Sequence, residues 1–123
     1  MAYVTTLYDG LHYSCGVAGV ALTAGQVVKL SANHTFIPCA SVSAASEGIA
    51  KYDCDADGAP DIIMSGVHQT DNYVGSPSAG NDLACDASTS KLKVATTSDR
   101  IVGRVIAVEN GVMTFSLGYG GTK

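Results

Sequence analysis

The stretch that most constrains this fold is Arg104–Leu117. There Asn110-Gly111 separates two β-prone runs, Arg104-Val105-Ile106-Ala107-Val108-Glu109 and Val112-Met113-Thr114-Phe115-Ser116-Leu117. Asn-Gly accepts the positive φ that both central residues of a type I′ turn require, so the pair predicts a two-residue hairpin. Such a hairpin sets Val108 opposite Met113 and Ile106 opposite Phe115. Those four side chains and Leu117 then share an apolar face, while Ala107, Glu109, Thr114 and Ser116 share the other. A sheet that is apolar on one side needs a second layer to cover it.

The rest of the chain repeats that signal more weakly. Strands are expected at 26–30, 35–39, 49–52, 62–67, 82–85 and 91–95. Turn residues stand between them at Ala32-Asn33-His34, Asp57-Gly58-Ala59-Pro60, Ser76-Pro77-Ser78 and Ala87-Ser88-Thr89-Ser90. No helical period persists; Ser41–Ala50 comes nearest, but it carries Gly48 and several serines and reads as a loop with at most one helical turn. Fourteen glycines and no tryptophan suit short strands and tight turns. The expected fold is all-β, a small β-sandwich or barrel in one domain over 20–118. An extended N-terminal arm over 1–19 precedes it and a tail over 119–123 follows, with Met1–Gly10 and Gly118–Lys123 read as loose.

The domain also resembles itself. Ala24-Gly25-Gln26-Val27-Val28-Lys29-Leu30 is similar to Ala79-Gly80-Asn81-Asp82-Leu83-Ala84-Cys85, and Glu47-Gly48-Ile49-Ala50 to Val102-Gly103-Arg104-Val105, both 55 residues apart. Asp57-Gly58 falls near Asn110-Gly111. Two similar strand units, about 23–67 and 78–118, are therefore expected to build one pseudo-symmetric structure.

Charge and composition exclude several classes of function. Lys and Arg total 7 against 11 Asp and Glu, and no basic run exists, so a nucleic-acid backbone has nothing to grip. Charged residues are 15% of the chain, below the roughly 25% of ordinary soluble domains, as expected where neighbouring chains cover part of the surface. Met1–Asp9 has no basic n-region, and Gly16–Leu22 is too short and too rich in Gly and Ala to span a membrane. Synthesis in a cytoplasm is the expectation. The three histidines lie in no catalytic pattern, His68 near Asp71 reading as a solvated loop pair, and no nucleophile elbow or phosphate loop is present. A non-enzymatic protein is expected.

The order of the second unit is an Ala-Gly turn, a short strand, a polar turn, a Lys-containing strand, Ile101-Val102-Gly103-Arg104-Val105 and a final hairpin. It resembles the C-terminal half of capsid decoration (cement) proteins of tailed bacteriophages. Leu22–Leu30 and Gly58-Ala59-Pro60-Asp61-Ile62-Ile63 echo the same family, so the resemblance covers about residues 20–118. It implies a structural protein bound to the outer surface of the capsid in the virion, stabilising contacts between major capsid proteins. It also implies self-association, often as a trimer; charge and hydropathy leave nucleic acid and membrane out as expected partners. The arm holds Tyr3, Leu7, Tyr8, Leu11 and Tyr13, its richest run of interface-type residues. It is a candidate contact with the shell or a neighbouring subunit; the other reading is that its tyrosines cap the domain's own core.

Two features stand apart. Asp53-Cys54-Asp55-Ala56-Asp57-Gly58-Ala59-Pro60-Asp61 matches D-x-D-x-D-G-x-x-D, in which Asp53, Asp55, Asp57 and Asp61 are candidate Ca²⁺ ligands, and it resembles the calcium loops of integrin-type propellers and thrombospondin repeats. Met64 stands where an EF-hand needs glutamate, so the competing reading is a solvated acidic turn. No other cofactor is implied. The alternative function is then a calcium-stabilised β interaction module of a surface or secreted protein. Cys15, Cys39, Cys54 and Cys85 form no C-x-x-C pair. They read either as four buried free thiols or as two disulfides. Of the three possible pairings, Cys39–Cys54 would join two strands across their loop and leave Cys15 with Cys85.

Overall fold

A computed structural model describes residues 2–43, 45–118 and 120–123. Among them the chain forms twelve strands and no helix: β1 (Val4–Tyr8), β2 (His12–Tyr13), β3 (Val17–Ala18), β4 (Val27–Ala32), β5 (Thr35–Pro38), β6 (Gly48–Ala50), β7 (Ile62–Ile63), β8 (Gly66–Thr70), β9 (Asp82–Cys85), β10 (Leu92–Val94), β11 (Gly103–Glu109) and β12 (Val112–Leu117). They make two six-stranded sheets, ordered β1-β8-β12-β11-β9-β10 and β2-β7-β6-β4-β5-β3. The sheets form a sandwich, not a closed barrel. Among the described residues of Ser41–Ala50 there is no helical turn, and the stretch ends in β6.

The duplication seen in the sequence is a duplication of structure. The run β7-β6-β4-β5 in one sheet corresponds to β12-β11-β9-β10 in the other. Val27 pairs with Ile49 and Val28 with Gly48; 55 residues on, Asp82 pairs with Arg104 and Leu83 with Gly103. The hydrogen bonds repeat with the register. Gly25 N–H donates to Ala50 O (2.8 Å) and Gly80 N–H to Val105 O (2.9 Å), while Glu47 N–H donates to Val28 O and Val102 N–H to Leu83 O, both at 2.8 Å. Each unit opens on the same turn, Thr23–Gln26 and Ser78–Asn81, with glycine third at φ 91° and 88°. A type II turn demands positive φ at that position, and glycine supplies it without steric penalty.

The main core lies between the sheets, where Val27, Ile49 and Ile63 of one face Leu83, Val105, Met113, Phe115 and Leu117 of the other. A second apolar cluster, with Val28, Phe36, Ala50 and Ile62, lies on the far side of β4–β7 beneath Ala18 and Leu22. That sheet is thus buried on both faces, which is why its strands read as continuous apolar runs. The sheet containing β12 is covered on one face only. Its open face carries Thr5, Gln69 and Thr114 in one cross-strand row, and Gln69 Nε2–H donates to Thr114 Oγ1 at 3.0 Å.

Three expectations need correction. The hairpin pairs Val108 with Met113 as expected, but Val105, not Ile106, faces Phe115, because a bulge at Ile106 inserts one residue into β11. Ile106 is turned outward, half exposed. The single strand expected at 62–67 is two strands in different sheets. The chain pivots between them at Gly66 (φ 107°), where a side chain would collide with Tyr8 O. Among the described residues the ends are not loose. The N-terminal segment is extended, but β1 pairs with β8 in one sheet while β2 and β3 pair with β7 and β5 in the other. Beyond Tyr119, which lies outside the described residues, the tail returns along 98–101: Ile101 N–H donates to Gly121 O (2.7 Å) and Lys123 N–H to Asp99 O (2.8 Å).

Candidate functional site

β1 is the outer strand of its sheet, and its sequence VTTLY holds no charge and no proline. Natural edge strands are usually blunted by such residues, and an edge without them is open to another chain. Tyr3 N–H donates to Asp71 Oδ1 (3.0 Å) and Thr70 Oγ1–H to Tyr3 O (2.8 Å), fixing the start of the strand. A bulge between Thr6 and Tyr8 then turns the end of the strand, and Leu11 is held by Ser65 Oγ at its N–H and by Met64 N–H at its carbonyl. The five arm residues consequently divide. Leu7 (48%), Tyr8 (74%) and Leu11 (69%) are exposed where the chain passes from one sheet to the other. Tyr3 is 38% exposed and borders, with Tyr52, a shallow cleft of about 230 Å³. Tyr13 turns inward against Phe36, with ring centroids 5.5 Å apart, and hydrogen-bonds His34. It caps the core.

Two histidines hold this segment. His68 is fully buried, and its ring lies between Thr6 Oγ1 (3.1 Å to Nδ1) and Ser65 O (2.9 Å to Nε2). Burial pushes it below the ordinary histidine value. His12 instead lies between Asp61 (3.0 Å) and Asp9, and these two carboxylates raise it. Asp71, expected beside His68, binds the Tyr3 N–H. The role of the pair is to dock the arm, and single histidines without a motif carry no such signal in the sequence.

The acidic loop does not gather its carboxylates. Asp53 Oδ1 accepts the Ala24 N–H (2.9 Å) and Asp61 Oδ1 is taken by His12. Asp57 adopts φ 67° and its N–H donates to Ala18 O, so the loop is pinned to the segment beneath it. Among the described residues no group of three or more His, Cys, Asp or Glu side chains is placed to hold a metal ion.

The cysteines also fall differently from the expectation. All four are free thiols, and Cys15 is exposed and Cys54 half buried, so the set is not uniformly buried. Cys54 packs against the cluster on the outer side of β4–β7, whereas Cys39 lies in the core between the sheets. A Cys39–Cys54 bond would have to pass through a sheet. Cys39 instead adjoins Cys85, whose Sγ lies 3.3 Å from Cys39 O. Sequence separation cannot reveal this neighbour, because it arises from packing one repeat on the other.

No protein-family model matches the chain, and no curated protein matches it.

Proposed function

We propose that this protein is a non-enzymatic capsid decoration protein. It binds the outer surface of a tailed-phage head and stabilises contacts between major capsid proteins. It acts in the virion after synthesis in the host cytoplasm, and it associates with copies of itself, as a trimer in the arrangement common to such proteins. The observation that carries this reading is the uncharged edge strand β1 with Leu7, Tyr8 and Leu11 exposed beside it. An unpaired ladder supplies backbone hydrogen bonds to a partner strand, and large apolar side chains next to it supply buried area. Support also comes from how the segment is held. A docking strand must not collapse onto its own core, and the anchoring at Thr70, His68, Asp61 and Ser65 keeps β1 in place. The sandwich behind it, with a core shared by two matched units, suits a rigid brace.

The test is co-sedimentation of purified protein with cognate heads lacking it. Saturable binding at a fixed number of copies per head is expected. Failure to bind expanded heads at micromolar protein overturns the reading.

A further inference from the structure

We propose that Cys39 and Cys85 form a disulfide that fastens the two sheets to each other when the protein folds under oxidising conditions. Cys39 follows β5 directly and Cys85 ends β9, so the bond would join the two repeats through the middle of the sandwich. Both side chains belong to the core cluster between the sheets, at 0% and 2% exposure. Their surroundings hold them together: the Cys39 carbonyl accepts from Cys85 Sγ at 3.3 Å and from Ser90 Oγ at 2.6 Å, while Cys39 Sγ lies 3.3 Å from Ser41 O. Cys15 and Cys54 lie outside this cluster and take no part.

The chemistry follows from the same contact. The Cys85 thiol donates to the Cys39 carbonyl, which keeps the two cysteines adjacent as the sheets close. With glutathione disulfide as oxidant, the Cys39 thiolate attacks one of its sulfurs and releases one glutathione thiolate. Cys85 then gives up its proton and attacks the Cys39 sulfur of the mixed disulfide, releasing the second. Two protein thiols lose two electrons, and one glutathione disulfide becomes two glutathione thiols. Because both sulfurs are buried, the bond forms as the sheets come together and not by attack on the closed fold. A bond between residues so far apart in sequence restricts the unfolded chain strongly.

The C15S/C54S variant isolates the pair, since neither substitution touches the core between the sheets. It is unfolded, reduced, and refolded in a mixture of oxidised and reduced glutathione. The expected product is a monomer two hydrogens lighter than the reduced protein, with no thiol open to iodoacetamide after denaturation. Its melting temperature should fall by roughly 5–10 °C on reduction. The same refolding of the unaltered chain should yield one linked peptide pair, Cys39 with Cys85. Two alkylatable thiols in the refolded variant, or a link from Cys39 to Cys54 or from Cys85 to Cys15 in the unaltered chain, overturns the proposal.

Discussion

Buried between β1 and the turn before β8, His68 has room for one proton. The Ser65 carbonyl can only accept, so Nε2 carries the hydrogen and Nδ1 is left to accept from the Thr6 hydroxyl. A second proton on Nδ1 would reverse the bond, with the Thr6 hydroxyl accepting, but would bury a charge, and desolvation is the main reason its value falls below the ordinary 6.5. The unfolded chain therefore takes up this proton first, and His68 removes stability as the pH falls through about 6.5. His12 runs the opposite way. Held chiefly by Asp61 and then by Asp9, it is raised above 6.5, so its contribution is complete below that pH and is lost as the pH rises through its folded value. Two-dimensional NMR of the ring nitrogens at pH 6.5 should find His12 mostly charged and His68 neutral with its hydrogen on Nε2; the reverse order contradicts this account. Replacing His12 with alanine should lower the melting temperature more at pH 6 than at pH 9.

At the level of elements, the sequence foretold what a short turn dictates and missed what a partner sheet dictates. Asn110 and Gly111 do take φ 54° and 76°, so the hairpin and its Val108–Met113 pair were legible from two residues. The bulge was not, since nothing in Val105-Ile106-Ala107 marks which residue leaves the ladder; Val105 is chosen because its side chain fills the core beside Leu83 and Phe115. The two registers are separable by mutation. Val105→Ala should destabilise by about 2 kcal/mol, whereas Ile106→Thr should change stability by no more than about 0.5 kcal/mol, both read from urea melts. The unbulged pairing would invert that order. The repeat offers a second check. A side chain at Gly48 would meet Ile63 O, and one at Gly103 would meet Ser116 O, the equivalent contact in each unit. Gly48→Ala and Gly103→Ala should each cost about 2–4 kcal/mol. These glycines are needed for close approach of backbones, not for a turn.

For the whole molecule, pattern alone was enough for an all-β sandwich or barrel and its internal duplication, because register and turn chemistry recur at a fixed spacing that a sequence displays directly; the choice of sandwich over barrel came from the structure. The destination of the ends was hidden. Residues 4–18 alternate too briefly to announce strands, and they pair only because the outer strands β8, β7 and β5 are already laid down to receive them. The acidic loop has a spacing that suits either a ligand set or a turn, and Asp53 and Asp61 are engaged in structural hydrogen bonds; a turn leaves the melting temperature within about 1 °C on adding EDTA or Ca²⁺, whereas a larger shift identifies a bound ion. The capsid reading makes a sharper demand, because it assigns the work of binding to side chains that do little for the fold. Leu7, Tyr8 and Leu11 are about half to three-quarters exposed, so the triple substitution L7S/Y8S/L11S should cost the isolated protein little stability. The same three residues would be the apolar anchors of the docked strand, and truncating several anchors at an interface typically removes several kcal/mol of binding. Affinity for cognate heads should therefore drop at least a hundredfold with the melting temperature nearly unchanged. Unaltered affinity in the triple variant would move the docking surface elsewhere on the sandwich, to the open Thr5–Gln69–Thr114 face, whose polar rows would then have to do the binding.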